Sequence, residues 1–512
     1  MRPARVTIPL VLMFATLALA PSAAAQAPAN LTVMRVRYST LKATAKPDGA
    51  LKAQIDEIDA AMVEATRIGR TGEVRRLLAK GSALLNGRDW TELDEFGASL
   101  VLRTDRVVVD PGSPARVRLE QIFAPGIALS APLTVRAALR PLLSQPIGSA
   151  DAWELGRFEG VSRDLRESPL AMELDVAPAP TGPHVLDVQV LDGTRTLATA
   201  SLRLWVQRGL DERLRALEAA AREVPAAVKA DIRYPGEMVR QIDRGRLDLG
   251  TIDVGAAVAA AEDVATAARR GTDPFAGRTG DFERHYVLDG TTEILPYRVY
   301  VPSGYDGSRP LPIVVALHGL GNTEDSFFDN YQRRVPQLAE KYGYLVVAPL
   351  GYRIDGFYGW GAATAVDPAV KQVRERSEQD VLQVLSRMRR DYKVDDRRIY
   401  LLGHSMGAIG AWSLEAKLPA LWAAVAAFAG TGTPSSAARF KDIPQYVVHG
   451  DADPTVPVSG SRTMVAEMKK LGTEVTYVEV PGGGHSDVVV PHLPAAFEFF
   501  DGKRKKAGRT ER

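Results

Sequence analysis

Apolar side chains recur every three or four positions in four segments of the chain, which is the spacing of amphipathic helices. These segments are residues 51–62, 74–85, 210–221 and 254–270. In the first of them the apolar positions are Leu51, Ile55, Ile58 and Met62. The pattern therefore predicts a helical region in residues 26–99 and a helical segment with a linker in residues 208–275.

Between these helices, polar and apolar residues alternate, as they do in half-buried strands. The alternating segments are residues 116–123, 186–190 and 202–206, with a turn signal at Asp192-Gly193. We interpret residues 100–207 as a small antiparallel β-sandwich. A sandwich would bring its flanking helices close, so we expect them to pack together as one bundle. Residues 26–275 carry no chemical motif, and we interpret them as an accessory region.

The rhythm changes again after residues 271–280, whose glycines indicate a linker. A hairpin is expected around Asp289-Gly290, and strands then alternate with helices, which we expect at residues 331–342, 377–392 and 492–500 among others. Several of the strands are almost continuously apolar, as in residues 313–317. Such strands are typical of a mostly parallel sheet that is buried on both faces by helices. The fold class predicted for residues 280–502 is therefore α/β.

The first 25 residues are typical of an export signal. Arg2 and Arg5 precede a largely apolar stretch of 15 residues, and three alanines at positions 23–25 form a small-residue cleavage site. A bilayer-spanning helix needs about 20 apolar residues, so we expect cleavage after Ala25. The mature protein would be periplasmic or secreted, with no stable membrane span.

Composition excludes several classes of chemistry. The chain has no cysteine, which removes disulfides, thiolate catalysis and cysteine-bound metals. Without the signal, 62 basic residues face 62 acidic ones, so charge gives no argument for nucleic-acid binding. The segment 503–512 has six basic residues and one acidic residue, and we expect a disordered tail there.

One serine lies where a buried strand is expected to meet a helix, in Gly403-His404-Ser405-Met406-Gly407. In that setting Gly-x-Ser-x-Gly forms a tight turn that lifts the serine to the carboxyl edge of a sheet. The glycines keep Cβ atoms away from the neighbouring backbone. Ser405 is therefore the candidate nucleophile.

A serine hydroxyl needs a neighbouring base, and the base needs a carboxylate to fix its tautomer. Of seven histidines, His485 follows three glycines in the loop between the last strand and the last helix, whereas His492 falls within that helix. Asp451 and Asp453 both follow the expected strand at residues 445–448. We assign His485 as the base and Asp453, the deeper in its loop, as the acid, with Asp451 structural.

The oxyanion of an acyl-transfer reaction requires backbone donors. One is expected from the amide of Met406, directly after the candidate nucleophile. The other is expected from Leu320, in Leu317-His318-Gly319-Leu320-Gly321 at the end of the first long parallel strand.

Together these stretches resemble the serine esterases of the α/β-hydrolase fold. Residues 284–500 are similar to the polyhydroxybutyrate-depolymerase and feruloyl-esterase-like enzymes and to the phospholipase/carboxylesterase family. The resemblance rests on "YRVYVPSGYDGSRPLPIVVALHGLG", "RIYLLGHSMGAIGAW", "VVHGDADPTVPV" and "GGGH". It implies a Ser405–His485–Asp453 triad, an acyl-serine intermediate, and no metal or organic cofactor. One departure is Ala408, where many relatives have glycine.

The substrate is less well defined by the sequence. Four aromatic residues lie among glycines in residues 351–361, and Tyr358 and Trp360 are our candidate substrate-binding residues. An aromatic cluster that only stabilises the loop remains the alternative. We expect small or polymer-derived esters as substrates.

Two other functions compete with an exported esterase. A peptidase like the prolyl oligopeptidases would share the hydrolase domain, but the propeller repeats of about 40–50 residues are not seen. A non-catalytic binding protein on the same scaffold is the second alternative.

Overall fold

The computed structural model describes residues 31–142, 152–247 and 249–505. The predicted export signal lies outside the described residues. None of the helices in the described ranges combines the length and the apolar character that crossing a bilayer requires.

The described part of the chain starts with four helices, of which the first three have a core of their own. Phe96 of the fourth helix belongs to the apolar core of the sheets that follow. Helices α1 to α3 bury Ile55, Ile58, Leu77 and Leu78 against one another. A capping box of Thr91 and Asp94 stabilises the amino-terminal end of the fourth helix. The helices are α1 (Leu31–Ala45), α2 (Gly49–Arg67), α3 (Thr71–Leu85) and α4 (Glu92–Ser99).

Two sheets follow and share one apolar core, as expected of a sandwich. One sheet has the strand order β1-β3-β6 and the other β2-β8-β7-β4-β5. The pairs are antiparallel except for β2 with β8, which is parallel and joins only two residues on each side. The strands are β1 (Leu100–Thr104), β2 (Val108–Val109), β3 (Ala115–Gln121), β4 (Leu133–Pro141), β5 (Trp153–Val161), β6 (Leu170–Leu174), β7 (Gly182–Asp192) and β8 (Arg195–Val206).

The next three helices are α5 (Leu210–Arg222), α6 (Ala226–Asp243) and α7 (Val254–Arg269). The prediction that these three helices form one bundle with the amino-terminal helices is wrong. Apolar residues of α5–α7 share a continuous core with the part of the chain after residue 280, whereas α1–α3 bury theirs among themselves. Buried Asp231 of α6 accepts hydrogen bonds from the backbone of His285 and the guanidinium of Arg284, which fixes the helices to that part of the chain.

The second half contains an eight-stranded sheet of order β16-β15-β14-β13-β11-β12-β10-β9. Its first hairpin is antiparallel, β10 pairs antiparallel with β12, and the remaining pairs are parallel. The α/β class predicted from the sequence is thus confirmed. The strands are β9 (Gly280–Val287), β10 (Ile294–Val301), β11 (Leu311–Leu317), β12 (Leu345–Pro349), β13 (Val394–His404), β14 (Ala424–Phe428), β15 (Gln445–Gly450) and β16 (Val475–Val480).

Helices cover both faces of this sheet, with separate apolar cores on its two sides. They are α8 (Ser326–Asp329), α9 (Arg334–Tyr342), α10 (Pro368–Asp391), α11 (Met406–Lys417), α12 (Ser459–Lys470) and α13 (Val489–Asp501). Helix α10 starts nine residues before the expected position, at Pro368, because the Asp367 side chain caps it. Helix α9 starts later than residue 331, because residues 331–333 are left-handed.

The prediction of a disordered tail is wrong for residues 503–505, the first part of that segment. The Lys503 carbonyl accepts a hydrogen bond from the Tyr400 hydroxyl, and the Lys505 amide donates to the Arg397 carbonyl. These contacts hold the first residues of the segment against the sheet domain. The rest of the segment, from residue 506 onward, lies outside the described residues.

Candidate active site

Ser405 occupies the sharp turn between β13 and α11. Its backbone is in a strained conformation, with φ 57° and ψ −119°, which is rare for a residue with a side chain. A hydrogen bond of 2.9 Å from its amide to the Phe428 carbonyl holds the turn against β14. Strain of this kind persists where the surrounding structure fixes it, and it is concentrated at functional sites.

The two glycines of the turn are required by close backbone contacts. A Cβ on Gly403 would lie 2.3 Å from the Gly407 carbonyl oxygen, and one on Gly407 would lie 1.8 Å from that of Leu317. Neither distance is possible between real atoms. The steric reason given for these glycines in the sequence is confirmed.

Ala408, which directly follows the turn, does not disturb it. Its methyl group is fully buried and faces Gly430, where an added Cβ would lie 2.6 Å away. The glycine at position 430 therefore makes the room that the methyl group at 408 needs.

Asp453 and His485 are joined by a direct hydrogen bond. The Nδ1–H of His485 donates to Oδ2 of Asp453 at 2.7 Å, and the Asp453 side chain is completely buried. Burial alone would raise the pKa of Asp453, but hydrogen bonds from His449 and His485 outweigh it and hold the pKa well below its usual range. The carboxylate therefore stays ionised and fixes the tautomer that leaves Nε2 of His485 available as a base.

Asp451 has the structural role expected of it. Its Oδ1 accepts a hydrogen bond of 2.7 Å from the amide of Gly482, which joins the loop after β15 to the loop after β16. The two loops approach so closely that a Cβ on Gly450 would lie 2.1 Å from the Gly483 carbonyl oxygen.

His449 of β15 is a further residue of the site, which the sequence patterns did not indicate. His449 is fully buried, and its Nε2 lies 3.1 Å from Oδ2 of Asp453 and 2.9 Å from the Val456 carbonyl. Both neighbours are acceptors, so Nε2 carries a proton. The other carboxylate oxygen accepts the amides of Thr455 and Val456. The sequence signal that could have indicated this contact is the position of His449 four residues before Asp453.

The loops carrying the other groups flank Ser405. Gly319 lies so close that a Cβ on it would be 3.4 Å from Cβ of Ser405. On the other side, the ring of His404 lies 4.9 Å from the ring of His485, measured between centroids. Ser405 is partly exposed, and within the described residues its hydroxyl makes no hydrogen bond to His485. In unliganded enzymes this contact is often long and shortens when the substrate binds.

The two predicted oxyanion donors have free amides. In the described part of the chain, no carbonyl or side chain accepts a hydrogen bond from the N–H of Leu320 or Met406. Met406 is the first residue of α11, where amides lack partners within the helix and favour negative charge. Both amides are thus available to an oxygen bound beside Ser405.

His404, next to Ser405 in the chain, is buried and uncharged. Burial lowers its pKa to about 3, and the neighbouring His485 acts in the same direction. Its other charged or titratable neighbours are Asp453, His449 and Tyr331.

A pH dependence of stability follows from His404. Its folded-state pKa lies below the usual 6.5, so its contribution to stability is complete above pH 6.5 and declines as the pH falls toward 3. The native protein is expected to lose up to about 1.4 kcal/mol per pH unit from this residue in that window. In His404→Gln, which does not titrate, this part of the slope should be absent. Denaturant unfolding at several pH values measures it, and equal slopes would contradict the assignment.

The prediction that Tyr358 binds substrate is wrong. Tyr358 is completely buried, its ring lies against Gly351 and Gly410, and its hydroxyl donates to the His318 carbonyl at 3.2 Å. Tyr358 instead fits the alternative interpretation, in which the aromatic residue stabilises the loop. His318 lies two residues before Leu320, the predicted oxyanion donor. The hydrogen bond from Tyr358 therefore stabilises the loop that carries Leu320. Trp360 is partly exposed and stays a prediction.

Tyr358→Phe should separate the two roles. The variant keeps the ring but leaves the buried His318 carbonyl without its donor, so we expect a loss of about 1–3 kcal/mol in the free energy of unfolding. KM for an aromatic ester should not change. Trp360→Ala serves as the comparison and should raise that KM. A higher KM in Tyr358→Phe would restore its assignment to the substrate pocket.

The sheet order, the strained serine turn and the Asp453–His485 pair define an α/β-hydrolase. Residues 306–499 match the family described as phospholipase/carboxylesterase. The chain belongs to this family of carboxylic ester hydrolases.

Three curated relatives share parts of the sequence. NocK of Nocardia uniformis subsp. tsuyamanensis, a protein named as an esterase, is 30% identical over 259 residues, covering 46% of this chain and 72% of NocK. The bifunctional acetylxylan esterase/xylanase XynS20E of Neocallimastix patriciarum is 28% identical over 155 residues, covering 30% of this chain and 21% of that protein. Feruloyl esterase B of Talaromyces stipitatus is 27% identical over 135 residues, covering 26% and 35%. The chain thus spans less than two thirds of the length of two of these relatives.

Proposed function

We propose that this protein is an exported serine esterase that cleaves carboxylic esters through an acyl-serine intermediate. The observation that carries the proposal is the ionised, buried Asp453 bonded to His485 at 2.7 Å, beside the strained turn that presents Ser405. A buried carboxylate that orients an imidazole has its chemical use in activating a hydroxyl nucleophile.

In the proposed mechanism, Ser405 Oγ attacks the ester carbonyl carbon while Nε2 of His485 accepts its proton. The carbonyl oxygen becomes an anion and accepts hydrogen bonds from the amides of Leu320 and Met406. The intermediate then collapses, and the leaving alkoxide takes the proton from His485. Water then attacks the acyl carbon while His485 accepts its proton. The bond to Ser405 Oγ breaks, His485 returns the proton to that oxygen, and the acid is released.

For the substrate we propose aromatic or polymer-derived esters. Two relatives are named for acetylxylan and feruloyl ester cleavage, although each shares only part of its length with this chain. The loop at residues 351–361 adds support, because Phe357 and Trp360 are partly exposed and their rings lie 5.8 Å apart.

The substrate class is tested with p-nitrophenyl butyrate, methyl ferulate and a proline p-nitroanilide. We expect hydrolysis of both esters, with the higher kcat/KM for methyl ferulate, and no release of nitroaniline. Amide cleavage at rates similar to the esters would instead favour a peptidase. Failure to hydrolyse any ester would refute the esterase proposal.

The export part of the proposal rests on residues 1–25 alone. Its test is amino-terminal sequencing of the protein recovered from a bacterial host with an intact export system. We expect the periplasmic or secreted protein to begin at Gln26. Recovery of the chain from the cytoplasm with residues 1–25 intact would contradict it.

A further inference from the structure

Three loops of the candidate active site meet at the buried imidazole of His404. Its Nε2 lies 3.0 Å from the main-chain carbonyl oxygen of His485, and its Nδ1 lies 2.8 Å from the hydroxyl of Tyr331. Its own backbone continues directly into Ser405. One side chain therefore links the serine turn, the loop of the catalytic base and the turn before α9.

The partners of His404 fix its tautomer. A carbonyl oxygen only accepts hydrogen bonds, so Nε2 must carry the proton that is donated to His485. In the neutral ring Nδ1 is then an acceptor, and the Tyr331 hydroxyl donates to it. Every polar atom of the ring is satisfied by one defined arrangement.

Tyr331 is held in place by an unusual stretch of backbone. Tyr331, Gln332 and Arg333 have φ values of 48°, 57° and 54°, so three consecutive residues with side chains are left-handed. Such residues are uncommon even singly, and a run of three is strained backbone. Ion pairs of Arg298 and Arg333 with Asp281 and Asp329 fasten this turn to the sheet edge. A strained turn fixed in this way indicates that the position of Tyr331 matters.

We propose that His404 is a positioning residue that holds the backbone of His485, and that Tyr331 sets the tautomer in which His404 does so. This inference rests on the proposed function, because it assigns His485 as the catalytic base. The His485 loop contains Gly482, Gly483 and Gly484, which offer little resistance to movement. The hydrogen bond from His404 to the His485 carbonyl anchors the backbone of this loop, whereas Asp453 holds the His485 ring.

The uncharged state of His404 belongs to the same role. Its ring lies 4.9 Å from the His485 ring, which becomes an imidazolium when it takes the proton of Ser405. A positive charge on His404 would oppose that step, whereas a neutral donor to the carbonyl does not. His404 can therefore support the base without competing for its proton.

The test compares His404→Leu, His404→Gln and Tyr331→Phe in the full-length mature protein. Leucine removes both hydrogen bonds, so we expect kcat to fall by about 100-fold, in the range of a lost catalytic contact, with little change in KM. Glutamine offers a donor and an acceptor and should recover most of that loss. Tyr331→Phe should fall between native and His404→Leu. His492→Gln, a change on the outer helix α13, is the matched control and should be unaffected.

One further readout separates positioning from general loss of structure. The downfield proton resonance of the His485 Nδ1–H should weaken in His404→Leu and return with glutamine.

The inference is overturned if His404→Leu keeps native kcat, or if glutamine is no better than leucine and the His485 Nδ1–H resonance is unchanged in His404→Leu. Failure of the proposed function looks different. In that case Ser405→Ala would retain native activity, whatever the His404 variants do.

Discussion

Replacing Ser405 by alanine is expected to reduce kcat toward esters by about 10⁶-fold, which is the scale of losing a triad nucleophile in a serine hydrolase. The hydroxyl is the only part of the residue that changes, and the turn should survive because alanine is smaller. KM should change little, since the amides of Leu320 and Met406 still bind the carbonyl oxygen. Steady-state kinetics with p-nitrophenyl butyrate measures the loss.

Ser413→Ala provides the matched control for this substitution. Ser413 lies on the same helix, α11, and is also partly exposed. We expect native kcat from this variant. Native kcat in Ser405→Ala would place the chemistry on another residue and remove the basis for the mechanism.

Gly407→Ala should prevent stable folding of the catalytic half. The new Cβ would lie 1.8 Å from the Leu317 carbonyl oxygen, which belongs to the backbone of β11 where it pairs with β13. Side chains cannot move aside to relieve a contact with main chain. We expect a loss of more than about 4 kcal/mol in the free energy of unfolding, which is exceptional for one substitution.

Gly304→Ala is the control, because an added Cβ there meets no atom within 4 Å. Its effect should stay within about 0.5 kcal/mol, as for other open surface positions. Urea unfolding of both variants gives the comparison. A Gly407→Ala protein as stable as Gly304→Ala would mean that the turn is not packed as described.

The hydrolase half was largely predictable because its signals are local. Buried parallel strands read as continuous apolar runs, and the serine turn, acid and histidine occur in the order that the fold requires. The steric role of the glycines at 403 and 407 was also predictable, since it depends only on the strand before them and the helix after them. The contact of Asp453 with His485 follows from two neighbouring strands, β15 and β16, ending at one sheet edge.

Other features depend on contacts that sequence spacing does not encode. The helices α1–α3 and α5–α7 have similar helical periodicity, so the sequence pattern does not show which surface each group packs against. Tyr358 lies among glycines like a pocket residue, yet it is buried because Gly351 and Gly410 leave room for its ring. The left-handed turn at residues 331–333 contains no glycine, so its residues gave no signal against a helix.

The central claim is that Ser405 is the hydroxyl that His485 activates, and labelling with a fluorophosphonate tests it most directly. Such probes react with an activated serine and leave a covalent adduct on its oxygen. We predict one adduct per chain, located by peptide mass spectrometry on Ser405 and lost in His485→Ala. An adduct on a different residue, or no adduct in a preparation that hydrolyses esters, would contradict the account.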